Sequence, residues 1–128
     1  MVIADASEDY DDIGKAAEIW HTGELPLVSG LHTFLGRDLS KKTFVGFKGY
    51  LFQSQDVRKK IKVLAQGISV LGISKKNLEK MTVMLPCIDE QQKVVNLLSQ
   101  LDDRIEYVAE SFTYSNHFKK GLLQQMFV

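Results

Sequence analysis

The apolar positions along this chain alternate between strand-like and helix-like spacing, and each switch marks an element. "LPLVSGLHTFLGR" (25–37) and "TFVGFKGYLF" (43–52) are apolar and aromatic runs punctuated by glycine, a pattern that predicts two strands. "SQDVRKKIKVLAQG" (54–67) changes to helical spacing. Val57, Ile61 and Leu64 fall on one face, Ser54 stands ready to cap the start, and Gly67 is suited to the end. In "GISVLGISKKNLEKMTVMLP" (67–86) a β-branched run predicts a strand over 68–73. Ser74 then opens one helical turn, and a second apolar run predicts a strand over 80–85. At the N-terminus, 2–4 reads as the end of a strand and "DASEDYDDIG" as a polar loop.

The strongest pattern comes last. Asp89 is a good helix N-cap, and Gln92 three residues later completes a capping-box arrangement. Val94, Leu98, Leu101, Ile105, Val108 and Phe112 then follow at alternating spacings of four and three, the seam of a coiled coil. The same frame meets Ser115 and Lys119 before Leu122 and Met126 restore it, so the seam weakens around "YSNH". Unbroken, 89–126 would run roughly 57 Å, far longer than a small domain needs. A narrow seam needs a second helix to cover it, and 1–88 offers only one of medium length. The expected partner is therefore a helix of another chain; the alternative is a helix that folds back on its own domain.

The expected architecture is α+β: a small unit of mixed sheet and helix over 1–88, then a long coiled-coil-forming helix over 89–128. Composition adds a soluble-protein profile, with 45% apolar and 25% charged residues among 128. No run approaches the roughly 20 apolar residues of a membrane span, and "MVIADASEDY" has acids where a signal peptide carries lysines. The single cysteine, Cys87, excludes an internal disulfide and fits a reducing cytoplasm.

Formal net charge is zero, but its distribution is uneven. Residues 1–24 carry one lysine against seven acids, 25–88 carry eleven Lys and Arg against three, and 89–128 carry four against six. A basic middle can attract an anion even when the total cancels, because distant charges are screened. Catalytic chemistry is harder to find. The acids of 5–12 fail as an EF-hand loop, since Tyr10 stands where glycine must turn and Ala16 where the bidentate glutamate belongs. His21, His32 and His117 lack ligand spacing, and neither a glycine-rich phosphate loop nor HExxH nor GxSxG occurs. No metal, cofactor or catalytic residue is expected.

Three stretches together carry a resemblance: "LPLVSGLHTFLGRDL", "AQGISVLGISKKNLEKMTVMLP", and "DEQQKVVNLLSQLDDRIE" with "FKKGLLQQMF". In combination they resemble the specificity subunit of type I restriction-modification enzymes, most firmly over 25–126. The resemblance implies a non-catalytic, cytoplasmic DNA-recognition protein that reads one half of a bipartite double-stranded target. It implies docking of methyltransferase subunits, which modify adenine, and indirect recruitment of the restriction subunit. Such subunits generally carry two target-recognition domains and two antiparallel spacer helices. Here 1–88 corresponds to one recognition domain, expected to be truncated at its N-terminus, and 89–128 to one helix. A homodimer through Val94, Leu98, Leu101, Ile105, Val108 and Phe112 would restore the pair. The expected DNA contacts are Arg37, Lys41 and Lys42 between the two early strands, then Lys75 and Lys76 beside Ser74. The second reading is an assembly module whose shortened recognition domain no longer binds DNA.

Overall fold

The structure, a computed structural model, describes residues 1–21, 23, 24 and 26–127. The chain divides into two compact units, Met1–Gln92 and Lys93–Val128. The architecture is α+β, with small antiparallel sheets, short helices and one long C-terminal helix.

In the first unit β1 (Val2–Ala4) is the centre of a three-stranded antiparallel sheet, flanked by β3 (Ala16–Ala17) and β4 (Thr33–Leu35). Ile3 faces Ala16 on one side and Phe34 on the other. A second sheet pairs β2 (Ala6–Ser7) with β5 (Leu71–Gly72). Asp5 ties the two together: its N–H donates to the His32 carbonyl at 3.2 Å, and its own carbonyl accepts from Ile73 at 2.8 Å. The helices are α1 (Phe47–Gln53), α2 (Gln55–Leu64) and α3 (Lys75–Leu78). Ile13, Val57, Ile61 and Ile73 form the buried core, with Leu51, Leu64, Leu78, Met81 and Val83 packed around it. Gly14 reaches α2 so closely that a Cβ there would lie 2.3 Å from Ile61 Cγ2, and its φ of +67° already favours glycine.

Several predicted strands are corrected. Residues 43–52 contribute a helix, α1, instead of a strand. The cause is tertiary. Gly46 at its N-cap has no side chain to offer, and the carboxylate of Glu18 accepts the first-turn N–H of Gly49 at 2.9 Å instead. Glu18 also pairs with Lys48 at 2.9 Å in a largely buried bridge. Of 25–37 only Thr33–Leu35 pairs; Leu25 lies outside the described residues. Of 68–73 only Leu71 and Gly72 pair, because Gly67, at φ +136°, turns the chain so tightly that a Cβ would meet the Val70 carbonyl oxygen at 2.0 Å. Residues 80–85 form no strand. Their alternation is real in burial, with Met81 and Val83 turned toward the core and Thr82 and Met84 away, but no strand pairs with them. The Thr82 carbonyl accepts from Lys60 Nζ at 2.9 Å instead.

The helix ends also differ. Ser74 caps α3 as expected, accepting from the Asn77 N–H at 3.2 Å. Ser54 does not cap with its side chain: its hydroxyl turns back and donates to the Leu51 carbonyl at 2.7 Å. α2 stops at Leu64, three residues before Gly67.

The long helix, α4 (Ile88–Met126), is continuous for 39 residues, about 58 Å at the usual rise. Its cap is not Asp89. The Cys87 carbonyl accepts the first helical N–H, from Gln91 at 3.0 Å, and Glu90 reaches back to accept the Cys87 N–H at 3.2 Å. Half of a capping box is present, but a thiol stands where an oxygen should. Within the second unit the seam positions Leu101, Ile105, Val108 and Phe112 are all exposed, Ile105 at 67%. Among the described residues no helix is long and apolar enough to cross a membrane.

The cap geometry makes a stability prediction. Cys87→Ser should add a true cap and stabilise the protein by about 1 kcal/mol. Asp89→Ala should remove only a first-turn charge and cost about 0.3–1 kcal/mol. Urea denaturation of both variants checks this; the reverse ordering would place the helix start at Asp89.

Candidate nucleic-acid interface

The basic segment does not stand apart from the acidic one; the fold brings the two together at α2. Asp11 pairs with Lys62, and its backbone carbonyl accepts from Arg58 Nη2 at 2.8 Å. Lys62 also lies over the Tyr10 ring, 5.1 Å from its centroid. The Lys62 ammonium holds the Asp11 carboxyl below its ordinary pKa, first by hydrogen bonding and then by charge. With Lys48 committed to Glu18, the attraction that segment arithmetic assigns to the whole of 25–88 is redistributed. Among the described residues, Arg37, Lys41, Lys42, Lys59, Lys60, Lys76 and Lys80 form no ion pair.

Arg37, Lys41 and Lys42 sit together on the loop that leaves β4 and enters α1, all three exposed. The loop is folded on itself by Asp38. One carboxylate oxygen accepts the Thr43 hydroxyl at 2.6 Å and the Thr43 N–H at 2.9 Å; the other accepts from Ser40 at 3.2 Å. Lys48 Nζ donates to the Thr43 hydroxyl at 2.9 Å and orients it. Lys41 sits at the bend with φ +52°, a left-handed conformation uncommon outside glycine. A second tie comes from Gln91, which hydrogen bonds to the backbone of Lys42 and Phe44. The result is a short, tied loop that presents three cations to solvent.

Lys75 and Lys76 occupy a different element, the first turn of α3, and both are exposed. Lys75 approaches Glu79 at 3.9 Å, and the Asn77 N–H is already taken by Ser74. One backbone donor of that turn is thus already committed.

A grouping that sequence reasoning does not reach lies between α2 and the segment after α3. Lys59, Lys60 and Lys80 line a groove of about 430 Å³ together with Val63, Leu64 and Met81. Lys59 and Lys60 are legible as exposed cations on α2, but nothing in the sequence brings Lys80 beside them. Gln91 escapes sequence reasoning as well, because a glutamine early in an amphipathic helix reads as solvated. Among the described residues no group of His, Cys, Asp and Glu is arranged to hold a metal. Cys87 is exposed and unpaired with sulfur.

The Asp38 clasp has a pH signature. The Thr43 hydroxyl, ahead of the Thr43 and Lys42 backbone and Ser40, holds the Asp38 carboxyl far below its ordinary 3.8. A depressed folded pKa contributes stability that is fully present above the ordinary value and is lost as pH falls toward the folded one. The Thr43 amide, followed by NMR through an acid titration, should therefore keep its hydrogen-bonded shift through the ordinary carboxylate range. A midpoint at 3.8 would mean that the clasp is open in solution.

Over 79 residues the chain is 28% identical to the type I restriction enzyme MjaVIII specificity subunit of Methanocaldococcus jannaschii, a stretch that is 61% of this chain and 19% of that protein. The chain thus spans about a fifth of the length of that relative. No solved structure gives a significant match. The family profile described as "Type I restriction modification DNA specificity domain" matches residues 17–111, from β3 through the clasped basic loop and into the long helix, and the chain belongs to that family.

Proposed function

We propose that this chain is a half or a fragment of the specificity subunit of a type I restriction-modification system. The first unit reads one half of a bipartite double-stranded DNA target, and the long helix pairs with its copy in a second chain. The observation that carries this reading is the clasped loop, which holds Arg37, Lys41 and Lys42 exposed and without acidic partners. Lysines there suit phosphates, and Arg37 suits the paired acceptors of a guanine edge. Lys75 and Lys76 are secondary contacts. The subunit performs no catalysis itself; it scaffolds the methyltransferase subunits and, through them, the restriction subunit. The DNA target sequence is a property of the loop side chains and has to be found by selection. The second reading, an assembly module that does not bind DNA, is favoured by one observation: the most extensive exposed apolar stripe lies on the helix.

Two predictions separate these readings. Fluorescence anisotropy with a mixed-sequence duplex should show binding that weakens with salt, with a log–log slope of about 0.9 for each phosphate neutralised. Replacing Arg37, Lys41 and Lys42 by alanine should lower both affinity and slope while the fold stays intact. Unchanged binding by the triple variant would remove the loop from the interface, and absence of binding by the unaltered protein would favour the assembly module.

The seam makes the other prediction. Leaving Leu101, Ile105, Val108 and Phe112 in water costs roughly 25 cal/mol per Å² of apolar surface, and a two-fold pairing is the commonest way to cover such a face. The protein should sediment as a homodimer held by Val94, Leu98, Leu101, Ile105, Val108 and Phe112, antiparallel as the family resemblance implies. Ile105→Asp would bury a charge in the seam and should give a monomer. Analytical ultracentrifugation showing the unaltered chain monomeric at micromolar concentration would refute the pairing.

A further inference from the structure

Among the described residues Gln91 is the one polar or charged residue that is buried as a whole, at 1% exposure. All of its hydrogen-bonding atoms face backbone. Oε1 accepts the Phe44 N–H at 2.8 Å, while Nε2 donates to the Lys42 carbonyl at 3.1 Å and to the Pro86 carbonyl at 2.9 Å. The site demands one acceptor and two donors on a single planar group at that reach, and only a primary amide supplies them. Asparagine is one methylene short. Glutamate would set an anion against two carbonyl oxygens. A helix that needed only amphipathic packing has no use for such a residue; an apolar side chain would fill the space without the desolvation cost of an amide.

What the amide grips is informative. Lys42 and Phe44 are the C-terminal side of the basic loop, directly after the left-handed bend at Lys41, and Pro86 belongs to the connection that leads into α4. Asp38 closes the loop internally, but its partners Ser40 and Thr43 are loop residues themselves, so that clasp sets shape and not position. Two ties come from outside the loop: Lys48 of α1 reaches only the Thr43 side chain, and Gln91 grips the backbone. We infer that Gln91 is a positioning residue for DNA binding: it fixes the loop carrying Arg37, Lys41 and Lys42 to the first turn of the long helix, so that those cations meet DNA already ordered. This inference rests on the DNA-binding reading of the loop. A preorganised loop avoids the ordering cost that a mobile one meets at binding.

The test is a double-mutant cycle in the full chain, read by anisotropy of a labelled mixed-sequence duplex over a salt series. Gln91→Met keeps the volume and removes all three hydrogen bonds; Gln91→Glu keeps the acceptor and removes the donors. Each should weaken DNA binding roughly five- to tenfold, the size expected when one or two flexible side chains must be ordered on binding. In the background of Arg37, Lys41 and Lys42 all replaced by alanine, neither substitution should weaken it further, because a positioning residue acts only through the groups it positions. An equal loss in both backgrounds overturns the inference, since a general loss of stability would produce it. Unchanged affinity and salt slope in a folded Gln91 variant overturns it too and leaves the DNA-binding reading standing. If the unaltered protein does not bind DNA, that reading fails and this inference falls with it. Should both variants fail to fold, hydrogen exchange in the unaltered protein decides: the Phe44 amide must be protected with DNA absent and gain little protection when DNA is added, and rapid exchange without DNA overturns the inference.

Discussion

The first unit depends on one close approach, that of Gly14 to Ile61. Any larger residue would overlap the isoleucine, so the turn after Asp9 can rest directly on α2 with no layer between. Two consequences follow from that contact. Ile13 is delivered into the core beside Val57, Ile61 and Ile73, where burial of a few β-branched side chains supplies most of the cohesion available to so small a unit. Tyr10 and Asp11 are delivered to the charged flank of the same helix, where they meet Lys62 and Arg58. Hydrophobic seat and electrostatic seat are therefore the same event. A Cβ at residue 14 would force the turn and α2 apart and strain both.

That coupling decides where positive charge remains useful. α2 carries four cations between Arg58 and Lys62, and judged by charge alone it would be the principal anion site. The acidic turn occupies the Arg58 and Lys62 side of it, and Glu18 occupies Lys48. Among the described residues of the first unit, the exposed cations without ion partners are Arg37, Lys41 and Lys42 on the clasped loop, Lys59 and Lys60 of α2, Lys76 of α3, and Lys80. A protein of zero formal charge can present a locally basic surface because its acids are consumed in holding it together. The exposed pairs among them contribute little individually in water. Their effect here is on geometry, since each removes a cation from the surface and fixes an acid that would otherwise repel a phosphate.

The sequence is most legible where local signals and the final contacts coincide. α2 is readable because Val57, Ile61 and Leu64 share the face that the core uses, and Ser74 because its cap is completed three residues away. The long helix is readable from its heptad spacing. The failures share a cause. α1 reads as a strand because its cap, Glu18, lies 31 residues from the Gly49 N–H that it accepts, and aromatic content then outweighs period. Residues 80–85 alternate because one side faces the core, yet alternation reports burial and not pairing. Asp89 reads as the helix cap because aspartate is the better capping residue, whereas the backbone starts the helix at the residue after Cys87. Of the candidate interface, Arg37, Lys41 and Lys42 are legible as a loop cluster. Gln91 is not, since its partners lie 47 and 49 residues away.

The long helix poses a different constraint, because it is extreme in length and modest in amphipathicity. Intrinsic propensity and backbone hydrogen bonding can hold a helix of this length together, so its existence needs no partner. Its pattern does. A seam of Leu101, Ile105, Val108 and Phe112 repeated every 3.5 residues is spaced for another helix and is too narrow for a globular core. The interruption at Ser115 and Lys119 fits the same view. Polar residues at seam positions weaken pairing locally while restricting which registers are acceptable, because a slipped register would set them against apolar neighbours. A helix meant only to pack on its own domain would gain nothing from such a break. Under the proposed pairing, a helix holding two copies at one separation gains a defined register, and a fixed separation between two recognition units is what the proposed bipartite DNA site would require.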